Sequence, residues 1–96
     1  MRLAYSEGAV ADLIRLRQFI ADKNPAAAAR IAAELLSRLE HLRLFPQMGR
    51  AVASAPDPQA MRDMVFGMYV VRYTIHADTI VVLRIWHHYE DRERAE

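Results

Sequence analysis

Cysteine is absent from the 96 residues, which excludes disulfides and thiolate chemistry. Lysine is nearly absent too: Lys23 is the only one among 13 Lys and Arg residues. Glycine is confined to Gly8, Gly49 and Gly67, so no glycine-rich loop can cradle a phosphate. Ser6, Ser37 and Ser54 have no nucleophile-elbow context, which leaves hydrolase chemistry unsupported. No run approaches the ~18 apolar residues of a membrane span, and Met1-Arg2-Leu3-Ala4-Tyr5 lacks the apolar stretch of a signal peptide. The expectation is a cytoplasmic protein with no membrane contact. A formal net charge of +1 provides no global field toward nucleic acid or lipid. His87 and His88 are neighbours that would point to opposite faces of a strand, and His41 and His76 complete no three-ligand spacing. Neither metal nor cofactor is expected.

What is present suits one small globular domain over 1–96. Hydrophobic residues make up 53% of the chain, ample for a core and too many for disorder along most of it. A GC-rich genome accounts for the number of arginines but not for their positions. Guanidinium forks suit carboxylate and phosphate contacts, so those positions matter.

Arg2 to Tyr5 reads as a short strand. Ser6 can cap a following helix, with Glu7 in its first turn favoured by the helix dipole. Ala9, Leu13, Leu16 and Ile20 are spaced 4, 3 and 4 and form one apolar stripe, with Asp12 at its polar border. Val10, Ile14 and Ala21 form a weaker second line. It is either the edge of a wide core face, the commoner outcome, or a docking strip. Asn24-Pro25 pairs a preferred cap with the favoured first helical residue, so a second helix opens there. Ala28, Ile31, Ala32, Leu35, Leu39 and Leu42 hold one face of it, which makes an αα-hairpin. Pro46 stops this helix, and Gly49 permits a left-handed turn. Ala51 to Gln59 reads as a loop. Three strands follow: Met61 to Phe66, Tyr69 to Ile75 and Thr79 to Trp86, turning at Gly67-Met68 and His76-Ala77-Asp78. Residues 90–96 form a charged tail. The fold class is α+β in the order βααβββ, with the hairpin on one face of a mainly antiparallel sheet.

Strict alternation places Val81, Leu83 and Ile85 against the helices with Val71 and Tyr73, leaving Ile80 and Val82 outside. The opposite, open face would then gather Arg72, Arg84, Trp86 and His88, joined by Arg62 if its register allows. Such a surface suits carboxylates or phosphates. The competing structural reading pairs these arginines with Asp63, Glu90 or Asp91 across strands.

With these residues assembled, the chain resembles the RelE/ParE superfamily of type II toxin–antitoxin toxins over nearly its whole length. The likeness rests on Asp12-Leu13 with Phe19-Ile20, the Asn24-Pro25-x-x-Ala28 opening and Leu42-x-x-Phe45-Pro46-x-Met48-Gly49-Arg50. Met61-Arg62-Asp63, Tyr69-Val70-Val71-Arg72-Tyr73 and Val82-Leu83-Arg84-Ile85-Trp86-His87 complete it. The resemblance implies a cytoplasmic complex with a small antitoxin, ParD-like or similar, and a role of the plasmid-stabilisation kind. It also implies growth arrest by the free toxin, either by binding and inhibiting DNA gyrase, as ParE-like members do, or by cutting mRNA on the ribosome, as RelE-like members do. The Phe-Pro-x-Met-Gly-Arg hinge and the lack of lysines after the second helix favour the ParE side, a binding inhibitor rather than a catalyst. On the RNase alternative Arg62, Arg84, His88 and Tyr89 would carry the chemistry. A third reading is a non-toxic interaction module, a decayed toxin. For either toxin, Val10, Ile14, Ala21 and Leu36 are the candidate antitoxin-binding residues, and Arg62, Arg72, Arg84, Trp86 and His88 the candidate target face.

Overall fold

The structure is a computed structural model that describes residues 1–57 and 60–88. Strand β1 (Arg2–Tyr5) leads into helix α1 (Glu7–Lys23) and helix α2 (Pro25–Leu44). Strands β2 (Arg50–Ala51), β3 (Met61–Phe66), β4 (Tyr69–His76) and β5 (Thr79–His87) follow. The sheet order is β1-β5-β4-β3-β2, with β1 parallel to β5 and every other pair antiparallel. The α+β fold and the helical hairpin stand as the sequence implies. The two-residue strand β2 lies at the start of what reads as a loop, since two pairs alone, Arg50 to Asp63 and Ala51 to Arg62, have no periodic signature. The 90–96 tail falls outside the described residues. Among the described residues no helix is long and apolar enough to cross a membrane.

Local chemistry sets the helix ends. The Ser6 hydroxyl accepts the Ala9 N–H at 3.0 Å, and the Asn24 side chain accepts the Ala27 N–H at 3.1 Å, each satisfying an orphan first-turn donor. Asn24 is both the end of α1 and the cap of α2, so one residue makes the hairpin corner. The core joins Ala9 and Leu16 of α1 with Leu35, Leu39 and Leu42 of α2, packed over Met64, Phe66, Val71, Tyr73, Ile80, Val82 and Ile85 of the sheet. The turn between β3 and β4 uses Gly67 at φ +54°, whereas the one between β4 and β5 forces the same left-handed conformation on Ala77.

The expected faces of β5 need correction. Arg72 lies opposite Arg84, but Tyr73 lies opposite Val82, so Leu83 is an extra residue in the ladder. This bulge shifts the alternation by one. Before it, Ile80 and Val82 are fully buried in the core, while Val81 and Leu83 are only partly covered. After it, Ile85 faces the core and Trp86 the other side, as strict alternation requires.

The bulge coincides with the end of β1, which leaves the outer edge of β5 without a strand beyond Val82. The start of α1 closes that edge. Ser6 donates its N–H to the Val82 carbonyl at 2.9 Å and its hydroxyl to the Leu83 carbonyl at 2.8 Å. One and a half turns later Asp12 accepts the Ile85 N–H at 2.9 Å. Exposed sheet edges invite foreign pairing, and polar side chains from α1 cap this one.

Candidate functional site: the open sheet face and the helical flank

The five residues expected on the open face separate into three places. Arg72, Trp86 and His88 come together as expected, around an open cleft of about 610 Å³ that Arg50, Asp63, Val65, Met68 and Val70 also line. Arg72 donates Nε and Nη2 to Asp63 at 2.8 and 3.0 Å, and its guanidinium lies 5.2 Å from the Trp86 ring centre. The Asp63 hydrogen bonds push the Arg72 pKa above its ordinary value, against the opposing effect of burial. Trp86 is only 5% exposed, so its ring is a floor under Arg72 rather than a stacking platform. His88 stands just past the end of β5, anchored by its N–H to the Met68 carbonyl at 2.6 Å.

Arg62 is not on this face. Its register opposite Tyr73 turns it to the helix side, where Nη1 donates to the Gly49 carbonyl at 2.9 Å and to the Gln47 carbonyl at 3.3 Å. Tyr73 works on the same segment. Its buried hydroxyl accepts the Gly49 N–H at 2.9 Å and donates to the Pro46 carbonyl at 2.8 Å. Burial pushes its phenol above the ordinary pKa, which keeps that donor in place. Arg62 and Tyr73 thus fasten the Phe45–Arg50 hinge to the sheet. Gly49 is required by space, not by a left-handed turn: a Cβ there would lie 2.5 Å from the Tyr73 hydroxyl oxygen.

Arg84 is also elsewhere. It donates Nε and Nη2 to Asp12 at 2.8 and 3.1 Å, beside Arg15, whose Nη1 reaches the same carboxylate at 2.6 Å. Asp12 is 1% exposed, the one buried charged residue described, so it is no polar border. Burial alone would raise its pKa, but hydrogen bonds from Arg84, the Ile85 N–H and Arg15 outweigh that and hold the carboxyl below its ordinary range. Arg62 and Arg84 therefore do not form one site. Tyr89 lies outside the described residues. Sequence reading missed Arg50, which extends from the short β2 over the cleft, because a two-residue strand leaves no pattern to find.

The four antitoxin candidates also divide. Val10 and Ile14 are exposed, Ile14 at 56%, so the second apolar line of α1 is not core at these positions. Leu36 is 63% exposed and borders an apolar groove of about 230 Å³ between the hairpin and Tyr5 and Tyr69 of the sheet. Ala21 is half-buried in a shallow depression between α1 and α2, with Arg17, Ala28 and Ala32. Among the described residues no group of His, Asp and Glu could hold a metal ion.

Residues 3–92 match the family model described as the ParE toxin of the type II toxin–antitoxin system parDE. Two curated relatives from Caulobacter vibrioides are similar. Toxin RelE3 is 35% identical over 85 residues, covering 84% of this chain and 87% of that protein. Toxin RelE1 is 35% identical over 83 residues, covering 84% and 86%. A solved chain of the chromosomal ParDE TA system from P. aeruginosa shares the fold with a TM-score of 0.75 at 18% identity, over 91% of this chain and 95% of that one. Toxins of this family act together with a cognate antitoxin. With a matching family model across nearly its full length, the chain belongs to the ParE/RelE family and is the toxin of a type II toxin–antitoxin module.

Proposed function

We propose that this toxin arrests growth by binding and inhibiting DNA gyrase, without cutting RNA itself. The observation that carries this reading is the dispersal of Arg62 and Arg84. An endonuclease of the RelE kind needs cationic side chains around one scissile phosphate, to offset charge that builds up in the transition state. Here Arg62 on β3 is committed to the hinge carbonyls and Arg84 on β5 to Asp12, with β4 between them. Arg72, the third arginine expected on the open face, already has its fork filled by Asp63. A net charge of +1 also argues against a deep groove for ribosome-bound RNA.

The test is pulse-labelling of DNA and protein synthesis just after the chain is induced in a bacterial host without antitoxin. DNA synthesis falling first supports the gyrase reading. Protein synthesis falling first establishes the ribosomal alternative and overturns it. An unchanged rate of both means either that the host lacks the target or that the toxin is inert.

The cognate antitoxin, ParD-like in this reading, docks on the helical flank and uses the exposed Ile14 and Leu36. Ile14→Asp should weaken antitoxin affinity at least about tenfold, the scale of one lost apolar anchor, while stability shifts by no more than about 0.5 kcal/mol, as for other exposed positions. Calorimetric titration against the antitoxin, paired with urea unfolding, measures both. Unchanged affinity would remove Ile14 from the interface.

A further inference from the structure

The open sheet face holds a cleft apart from the α1 ion cluster, rimmed by the last residue of the hinge, and its chemistry is specific. Its floor is apolar: Trp86 and Val70 are buried beneath it, while Val65 and Met68 stand exposed at its margin. Its polar groups are unequal. Arg72 is neutralised in place by the bidentate hydrogen bonds to Asp63. Arg50, across the cleft on β2, is exposed, and its guanidinium makes no hydrogen bond or ion pair with any described residue. One available guanidinium next to a bare apolar shelf calls for one carboxylate next to one large apolar side chain.

We infer that this cleft is a recognition site for a short acidic–apolar protein segment, whose carboxylate pairs with Arg50 and whose neighbouring aliphatic or aromatic side chain lies on Val65 and Met68. This rests on the gyrase reading only in that it names the face and the chemistry by which a protein target would be held. Nucleic acid fits the same cleft poorly, for three reasons. A strand brings a phosphate at every nucleotide, whereas the wall offers one uncommitted arginine. The Arg72–Asp63 pair stands in that wall with no net charge, so it offers a run of phosphates no second cation. Trp86, the only tryptophan of the chain, lies under Arg72 where no base can stack on it. A protein segment has the complementary sparse charge, and an arginine fork beside an apolar shelf is a common anchor for such segments.

The experiment is selection of random peptides by phage display on the purified chain, run in parallel on Arg50→Glu. Recovered peptides are then titrated by the fluorescence of Trp86, which reports directly from the cleft floor. The wild-type chain should enrich peptides with Asp or Glu close to Leu, Met or an aromatic residue. Those peptides should bind Arg50→Glu at least about tenfold more weakly, the size of a charge-assisted pair lost. Val65→Ser should weaken them by a few fold through the lost apolar contact. Arg50 and Val65 are exposed, so both variants should keep the wild-type circular dichroism and unfolding midpoint.

Absence of acidic enrichment, or equal binding to Arg50→Glu, overturns the proposal. So does a single-stranded RNA decamer that displaces the peptides with higher affinity than they show. Because gyrase takes no part in this measurement, its outcome is independent of the target. A toxin that leaves DNA synthesis untouched but passes the peptide test loses only the gyrase reading. One that binds gyrase equally well with Glu at position 50 loses only the cleft.

Discussion

Asp12→Ala should cost about 3 kcal/mol, because it leaves the buried Ile85 N–H without an acceptor and removes the one carboxylate that Arg84 and Arg15 share. The carboxylate holds the Ile85 N–H, the Arg84 fork and Arg15 together at the edge of β5. Without it that N–H is buried and unpaired, and two guanidinium groups face each other with nothing between them. A domain of this size has roughly 5–10 kcal/mol to lose, so the variant should lose a large part of its stability. Urea unfolding measures the loss. Arg84→Met should cost far less, about 1 kcal/mol, because Asp12 keeps Arg15 and the Ile85 N–H, and because the Arg84 side chain is 43% exposed and screened by water. Equal losses in the two variants would show that the arginine, not the carboxylate, organises the edge.

The same cluster sets a pH dependence. Asp12 titrates below its ordinary value in the folded protein, so the folded state prefers the ionised form. Its contribution is complete above the unfolded carboxylate pKa, about 3.9, and drains away as pH falls through the lower folded value. The wild-type unfolding midpoint should therefore drop steeply on acidification below about pH 4. Asp12→Asn should show a shallower drop over the same window. Parallel curves for the two proteins would place the acid sensitivity elsewhere.

Caps and periodicity made the hairpin legible. Ser6 and Asn24 announce both helix starts, and Leu35, Leu39 and Leu42 are buried where a period of 3.6 puts them. The β5 faces were not legible, because Ile80-Val81-Val82-Leu83 is apolar throughout and gives alternation nothing to lock onto. The bulge at Leu83 is set by where β1 stops and α1 crosses the edge, a tertiary circumstance. Asp12 did leave a signal. It sits three residues after Ala9 and four before Leu16, on the buried stripe itself, and an acid there must be paired. Arg84, in the run beside the edge α1 crosses, is the partner that signal asks for.

The candidate site was legible by half. Arg72, Trp86 and His88 follow from alternation in β4 and after the bulge. Arg62 needed a register that only the Arg62–Tyr73 pairing fixes, and Arg50 needed the β2 bridge. The Phe-Pro-x-Met-Gly-Arg hinge, legible as a family signature, acquires a physical reason only from the structure. Its glycine faces the buried Tyr73 hydroxyl, which binds the hinge at the Gly49 N–H and at the Pro46 carbonyl.

That contact makes Gly49→Ala the second large expected effect. The added Cβ would meet Tyr73 Oη at 2.5 Å and the ring carbon Cε1 at 2.8 Å, and Tyr73 is fully buried with no room to retreat. Overpacking of this kind costs about 1–3 kcal/mol, and displacing the hydroxyl also unseats the Gly49 N–H and the Pro46 carbonyl, so a total near 3 kcal/mol is expected. Tyr73→Phe alone should cost about 1.5 kcal/mol, since it removes the hydrogen bonds but adds no atoms. In the double variant the closest clash is gone, because the hydroxyl oxygen is absent. The two losses should then combine to clearly less than their sum, by about 1 kcal/mol of coupling. Thermal or urea unfolding of the four proteins closes the cycle. Strict additivity would mean that the hinge yields around alanine without touching Tyr73, and that the glycine of the hinge is not chosen for space. A loosened hinge also lets Arg50 drift from the rim of the cleft, because the chain from Gly49 to Arg50 is what aims it. Gly49→Ala should therefore weaken peptide binding at the open face even under conditions where the protein remains folded, and Tyr73→Phe should do so to a smaller degree.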